Sequence, residues 1–192
     1  MPDQDPWRVL IGAILSTRTR DEVTVEAVNR LLKSAPDPQA LCRLDIFTIR
    51  RLIYPVGFYR TKARLLRKLA VVISTRHQGN VPRSRPELLA LPGVGPKVAN
   101  IVLARGFGIP AIAVDTHVHR IANRLGLVKT EKPAETERKL MAVVPEECLI
   151  DFNPLLVALG QTICLPRKPK CQRCPLDPLC PKTGLSRARM SR

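Results

Sequence analysis

The sequence predicts an all-α protein. Apolar residues recur at helical spacing in one stretch after another, and no segment alternates over strand length. Glycine and proline clusters punctuate those stretches. Trp7 to Leu15 is apolar enough for a buried helix, interrupted by Ser16-Thr-Arg-Thr-Arg-Asp21. Val28, Leu31 and Leu32 give a second helical face, ended near Ala35-Pro-Asp-Pro38. Ile46, Ile49 and Ile53 suggest a short third helix, stopped by Pro55 and Gly57. Leu65, Leu66, Leu69, Val72 and Ile73 then form an amphipathic stripe, with Arg64, Arg67 and Lys68 opposite and Gly79-Asn-Val-Pro82 as its close.

A helix–hairpin–helix is predicted at about residues 86–106. Leu88, Leu89 and Leu91 end an apolar run, and Pro92-Gly93-Val94-Gly95 breaks the backbone. The two glycines tolerate the positive φ of a tight turn, and Pro96 suits a first helical position. Val98, Ile101 and Val102 resume the helical period. Such a turn leaves N–H groups free at a helix N-terminus, where they can hold a phosphate. The residues alone leave open an ordinary glycine-rich connection. After Asp115 the faces continue with Val118, Ile121, Ala122 and Leu125, then Leu140, Val143 and Val144, then Leu155, Leu156, Leu159 and Ile163. No internal repeat or low-complexity linker is visible.

Lys97 falls in the first turn of its helix, where the positive end of the dipole disfavours a further positive charge and favours a neutral amine. Asp115 is a natural N-cap. The sharper possibility is a lysine nucleophile and a carboxylate at two helix N-termini. Thirty-two Lys and Arg stand against sixteen Asp and Glu, a formal charge of +16 that points to a polyanionic partner. No apolar run reaches the length of a membrane span and no signal peptide is visible, so a soluble, cytoplasmic and nucleoid-associated protein is expected. Cys42 and Cys148 stand in helical patterns and are expected to be buried, inert thiols. Cys164, Cys171, Cys174 and Cys180 read C-x6-C-x2-C-x5-C, and ligand chemistry alone permits either zinc or an iron–sulfur cluster.

Leu91-Pro-Gly-Val-Gly-Pro-Lys97, Val114-Asp-Thr-His117 and the four-cysteine tail together resemble the endonuclease III group of DNA glycosylases, from about Pro6 to Cys180. The resemblance implies a six-helix domain, residues 1–108, and a cluster domain, residues 109–192, with DNA bound across the groove between them. It implies a 4Fe-4S cluster in the loop 164–180, because the cysteine spacing matches the family's. It also implies a monomeric enzyme acting on double-stranded DNA with damaged bases or abasic sites. Oxidised pyrimidines would be excised and the strand nicked by β-elimination, with Lys97 as nucleophile and Asp115 stabilising charge on the sugar. Gly93, Val94 and Gly95 would hold a phosphate, and His117 belongs to the same motif, either packing or touching phosphate. Phe58 matches a residue that wedges into the base stack, and Arg18 the residue that fills the space left by the flipped base.

Arg167, Lys168 and Lys170, with Arg173, lie between or beside cluster ligands, where a pinned loop would hold them rigid for phosphate contacts. Arg187, Arg189 and Arg192 form a basic tail.

Mismatch (G·T/G·U) glycosylases of the same superfamily usually carry tyrosine in place of Lys97, and adenine glycosylases a glutamate after the first helix, where this chain reads Ser16-Thr-Arg18. A non-enzymatic DNA-binding module would leave Lys97 and Asp115 without a joint purpose. Two departures from the family pattern stand out. Arg18 replaces a glutamine, and the chain starts almost directly at the first barrel helix without the helix that normally packs on the cluster domain.

Overall fold

Asp5 opens the first helix by accepting from the N–H groups of Trp7 and Arg8, and Pro6 takes the first helical position. The computed structural model describes residues 5–185, and the basic tail at Arg187, Arg189 and Arg192 lies outside them. The described residues contain helices and turns, with no strand among them. The chain divides into two compact units, one through Ile109 and one from Pro110.

The first unit holds α1 (Pro6–Leu15), α2 (Asp21–Ser34), α3 (Pro38–Arg43), α4 (Ile46–Ile53), α5 (Tyr59–Arg76), α6 (Arg85–Leu89) and α7 (Pro96–Ile101). A π turn, Val102–Gly106, prolongs α7. Asp37, Asp45 and Ser84 cap α3, α4 and α6 by accepting from the N–H three residues on. The helix α3 is too short to show a period and was not anticipated from the sequence. In α5 the buried positions are Lys62, Ala63, Leu66, Leu69, Ala70 and Ile73, on the face seated against α3 and α4, while Leu65 and Val72 of the expected stripe are half-buried. Removing a fully buried leucine such as Leu66 should cost about 2–5 kcal/mol.

The second unit holds α8 (Thr116–Arg124), α9 (Pro133–Val143) and α10 (Leu149–Thr162). Its core gathers Ile112, Val118, Ile121, Leu140 and Leu156, with α8 packed against both α9 and α10. Beyond α10 two single 3-10 turns, Cys171–Arg173 and Asp177–Leu179, carry the cysteine loop. Cys42 is half-buried and 3.6 Å from the Ser74 hydroxyl, whereas Cys148 is exposed, contrary to expectation. Cys148 falls in a 3-10 turn before α10, outside the helical face the sequence suggested. Among the described residues no helix is long and apolar enough to cross a membrane.

Candidate active site and cluster loop

The hairpin between α6 and α7 is a close fit. The N–H of Val94 donates to Leu91 O at 3.2 Å, and Gly93 takes φ +77°. A Cβ on Gly93 would lie 2.4 Å from a methyl of Leu65, so the turn lies flush on α5. Gly95 has nothing within 4 Å of the same position, leaving its backbone open to an approaching ligand. Val94 is buried and pins the turn between these glycines. Lys97, at the second position of α7, is half-buried.

In the second unit Asp115 caps α8, and both cap bonds fall on one oxygen. Oδ1 accepts from the N–H of His117 at 2.8 Å and of Val118 at 2.9 Å, leaving Oδ2 outside the cap. One carboxylate can therefore hold the helix and still present negative charge. His117 is half-buried against Gly160, where a Cβ would come within 2.4 Å of its ring. Its Nδ1 lies 3.2 Å from Arg120 Nη2. His119 makes a 2.6 Å bond to Thr136.

The end of α8 supports the cysteine loop, a role the sequence reading missed. Arg124 is buried, and its Nη1 donates to Cys164 Sγ at 3.3 Å and to Leu165 O at 2.7 Å, while Nη2 donates to Pro166 O at 3.0 Å. Arg120 Nη2 donates to Cys164 O at 2.8 Å. The signal was present as arginines four apart on one face of α8. Cys164, Cys171, Cys174 and Cys180 line one cavity together with Arg124 and Leu125. Among the described residues no three His, Cys, Asp or Glu side chains are gathered closely enough for a single ion. Four thiols around one cavity are a donor set that either zinc or an iron–sulfur cluster accepts. Arg167, Lys168 and Lys170 project into solvent from this loop, held by the buried Pro169 and by a bond from Lys170 N–H to Ile163 O at 2.9 Å.

The first unit brings Arg18 and Phe58 together. Both have positive φ, +53° and +58°, and Phe58 is 60% exposed. The Arg18 guanidinium carbon sits 5.5 Å from the centre of the Phe58 ring, a cation–π stack. Beneath them Gly57 meets the Arg18 carbonyl so closely that a Cβ would lie 2.4 Å from it. Gly57 N–H donates to Thr19 Oγ1 at 3.1 Å. Lys62 locks the assembly from below. Its Nζ donates to Leu15 O at 2.9 Å, Thr17 O at 2.7 Å and Thr19 Oγ1 at 3.4 Å, with 7% of the residue exposed.

Burial pulls the Lys62 pKa down from 10.5 to about 8. Between those two values the unfolded chain keeps a proton that the folded chain has released. Wild type should therefore gain stability relative to Lys62→Met as pH rises through that window, by at most about 3 kcal/mol. Near neutral pH the variant strands the Leu15 carbonyl and leaves Thr17 O only the Thr19 hydroxyl, and urea unfolding should show a loss of about 1–3 kcal/mol. A stability difference that does not vary between pH 7.5 and 10.5 would show that the lysine is not titrating in place.

The HhH-GPD superfamily base excision DNA repair family matches residues 11–146. An endonuclease III of Thermotoga maritima is 46% identical over 178 residues, covering 93% of this chain and 84% of that protein. The chain belongs to the endonuclease III family. A solved endonuclease III–DNA complex, a trapped covalent intermediate, superposes with a TM-score of 0.86 at 36% identity, over 93% of this chain and 84% of that one. The Arabidopsis thaliana chloroplastic endonuclease III homolog 1 is 43% identical over 94% of this chain, which spans 50% of that longer relative.

Proposed function

We propose that this chain is a monomeric DNA glycosylase and abasic-site lyase acting on oxidised pyrimidines in double-stranded DNA. The observation that carries the reading is the likeness, over nearly the whole chain, to an endonuclease III caught in a covalent bond to DNA. A modified base inside a duplex has to be flipped out before any side chain can reach it. Phe58 and Arg18 enter the gap this leaves. The Lys97 Nζ attacks C1′ through its lone pair, and the bond from C1′ to the base breaks with its electron pair leaving on the base. Asp115 stabilises the positive charge that develops on the sugar, then takes up and returns protons. The amine loses a proton and the sugar ring opens, giving an imine between Nζ and C1′. Loss of a C2′ proton then expels the 3′ phosphate and nicks the strand, and water releases the lysine.

Gly93 and Gly95 offer backbone donors to a phosphate, the Val94 N–H being committed to Leu91 O, while His117, packed as it is, orients Arg120 toward the cluster loop. Cys164, Cys171, Cys174 and Cys180 would hold a 4Fe-4S cluster, which supplies a rigid anchor for the basic loop. Strand cleavage on an abasic duplex and on a thymine-glycol duplex tests the function. Cleavage of both supports it, and a protein that binds but cuts neither is a DNA-binding module only.

The basic loop yields its own expectation. Replacing Lys168 and Lys170 by alanine should weaken binding to every duplex alike. Each lost phosphate contact should flatten the log–log salt dependence by roughly 0.9. Unchanged slope on undamaged DNA would mark them as solvated charges.

A further inference from the structure

Seven side chains of α4, α5 and the turn between them enclose an open groove of about 490 Å³. Arg50, Arg51, Arg60 and Arg64 bring four guanidinium groups to it. Phe47, Tyr54 and Tyr59 bring three rings, and no carboxylate lines it. The spacing explains the placement. Positions 47, 50, 51 and 54 follow the helical period along α4, on the face away from the buried Ile49 and Ile53. Positions 60 and 64 are one turn apart on α5.

A helix that needed only a solvated outer face would not leave Phe47 72% and Tyr54 59% exposed. Nor would it gather four cations without a neutralising acid. Tyr59 is already engaged, edge-to-face with Tyr54 at 5.3 Å and under the Arg60 guanidinium at 5.7 Å. Phe47 and Tyr54 remain accessible. Arg50 Nε is buried and has no hydrogen-bond partner, so only the outer nitrogens of that guanidinium are offered to the groove.

We infer that this groove binds single-stranded DNA, with phosphates on the arginines and a base stacked on Phe47 or Tyr54. Ring faces are matched by base faces, which a duplex hides within its own stack and a single strand exposes. An acidic peptide would satisfy the guanidinium groups but leave the rings unused. The turn carrying Phe58 joins the two helices that form the groove, so the groove adjoins the loop proposed to enter the base stack. The inference rests on the repair function proposed above, which it extends by a second subsite for single-stranded DNA.

The test is fluorescence anisotropy at about 0.15 M salt with a labelled thymidine octamer and an octamer of abasic spacers. Wild type should bind the thymidine strand about tenfold more tightly than the spacer strand. The double variant Phe47→Ala/Tyr54→Ala should lose most of that preference. It should keep the salt slope, because no charge has been removed. Both rings are exposed, so the core is untouched, and a thermal melt checks it. Equal binding of the two octamers by wild type, or an unaltered preference in the variant, overturns the inference. So does displacement of the thymidine octamer by a glutamate octapeptide as readily as by unlabelled strand. Borohydride trapping of wild type on an abasic duplex reports on Lys97 and not on the groove. Trapping without a base preference sinks the groove alone, and a base preference without trapping sinks the lyase reading alone.

Discussion

Cys171→Ser should purify colourless. Wild type should be yellow-brown with about four irons per chain, the content of a cubane held by four thiolates, and the variant should retain close to none. The cause is geometric. The cysteine loop contains only single 3-10 turns and little apolar material of its own, so its four thiols depend on what fills the cavity they line. Arg124 fixes only the two ends, its guanidinium through Cys164 Sγ and the carbonyls of Leu165 and Pro166 and its own carbonyl through Cys180 Sγ and Thr183 N–H, which leaves Cys171 and Cys174 to what fills the cavity. Without a cluster the segment carrying Arg167, Lys168 and Lys170 should become protease-sensitive, and binding to all duplexes should weaken together. Cys42→Ser, at a thiol outside the loop, should keep full iron content. Stoichiometric zinc without iron or sulfide, in protein prepared anaerobically, would contradict this.

The second large effect separates the two reacting groups. Asp115→Asn keeps an oxygen that can cap α8, so the fold should survive, but it removes the negative charge. Base release from a thymine-glycol duplex should fall by about 10²–10³-fold, the size expected when a charge-stabilising group is lost. On a preformed abasic site, where no base has to depart, part of the cleavage should remain. Lys97→Gln should abolish cleavage on both substrates while still binding them, because the Gly93–Gly95 backbone is untouched. Equal losses for Asp115→Asn on the two substrates would remove its assigned role in base departure.

The sequence made the all-helical fold legible because most helices carry long apolar stripes. In α5, Leu66, Leu69 and Ile73 are buried as their spacing demands. Asp115 caps α8 as its residue type and position suggest. What stayed hidden was decided by distant contacts or by short elements. Lys62 falls four residues before Leu66 on the buried stripe, yet a lysine there reads as a solvated charge. Its burial depends on carbonyls 45 and 47 residues away. Arg124 is the same case, since its partners come from residues 40 to 42 positions on. The stacking of Arg18 on Phe58 follows from two loops meeting at Gly57, which no local pattern encodes. Cys148 was misjudged because a single 3-10 turn has no periodicity to show which way its side chains face.

The most direct test is to incubate wild-type protein with an abasic duplex in the presence of borohydride, digest the product and locate the attached sugar by mass spectrometry. An imine at Lys97 is reduced to a stable amine, so the adduct should fall on the peptide containing Pro96-Lys97-Val98. Lys97→Gln should give no adduct above background. A sugar attached to any other residue, or an adduct undiminished in Lys97→Gln, would contradict Lys97 as the nucleophile.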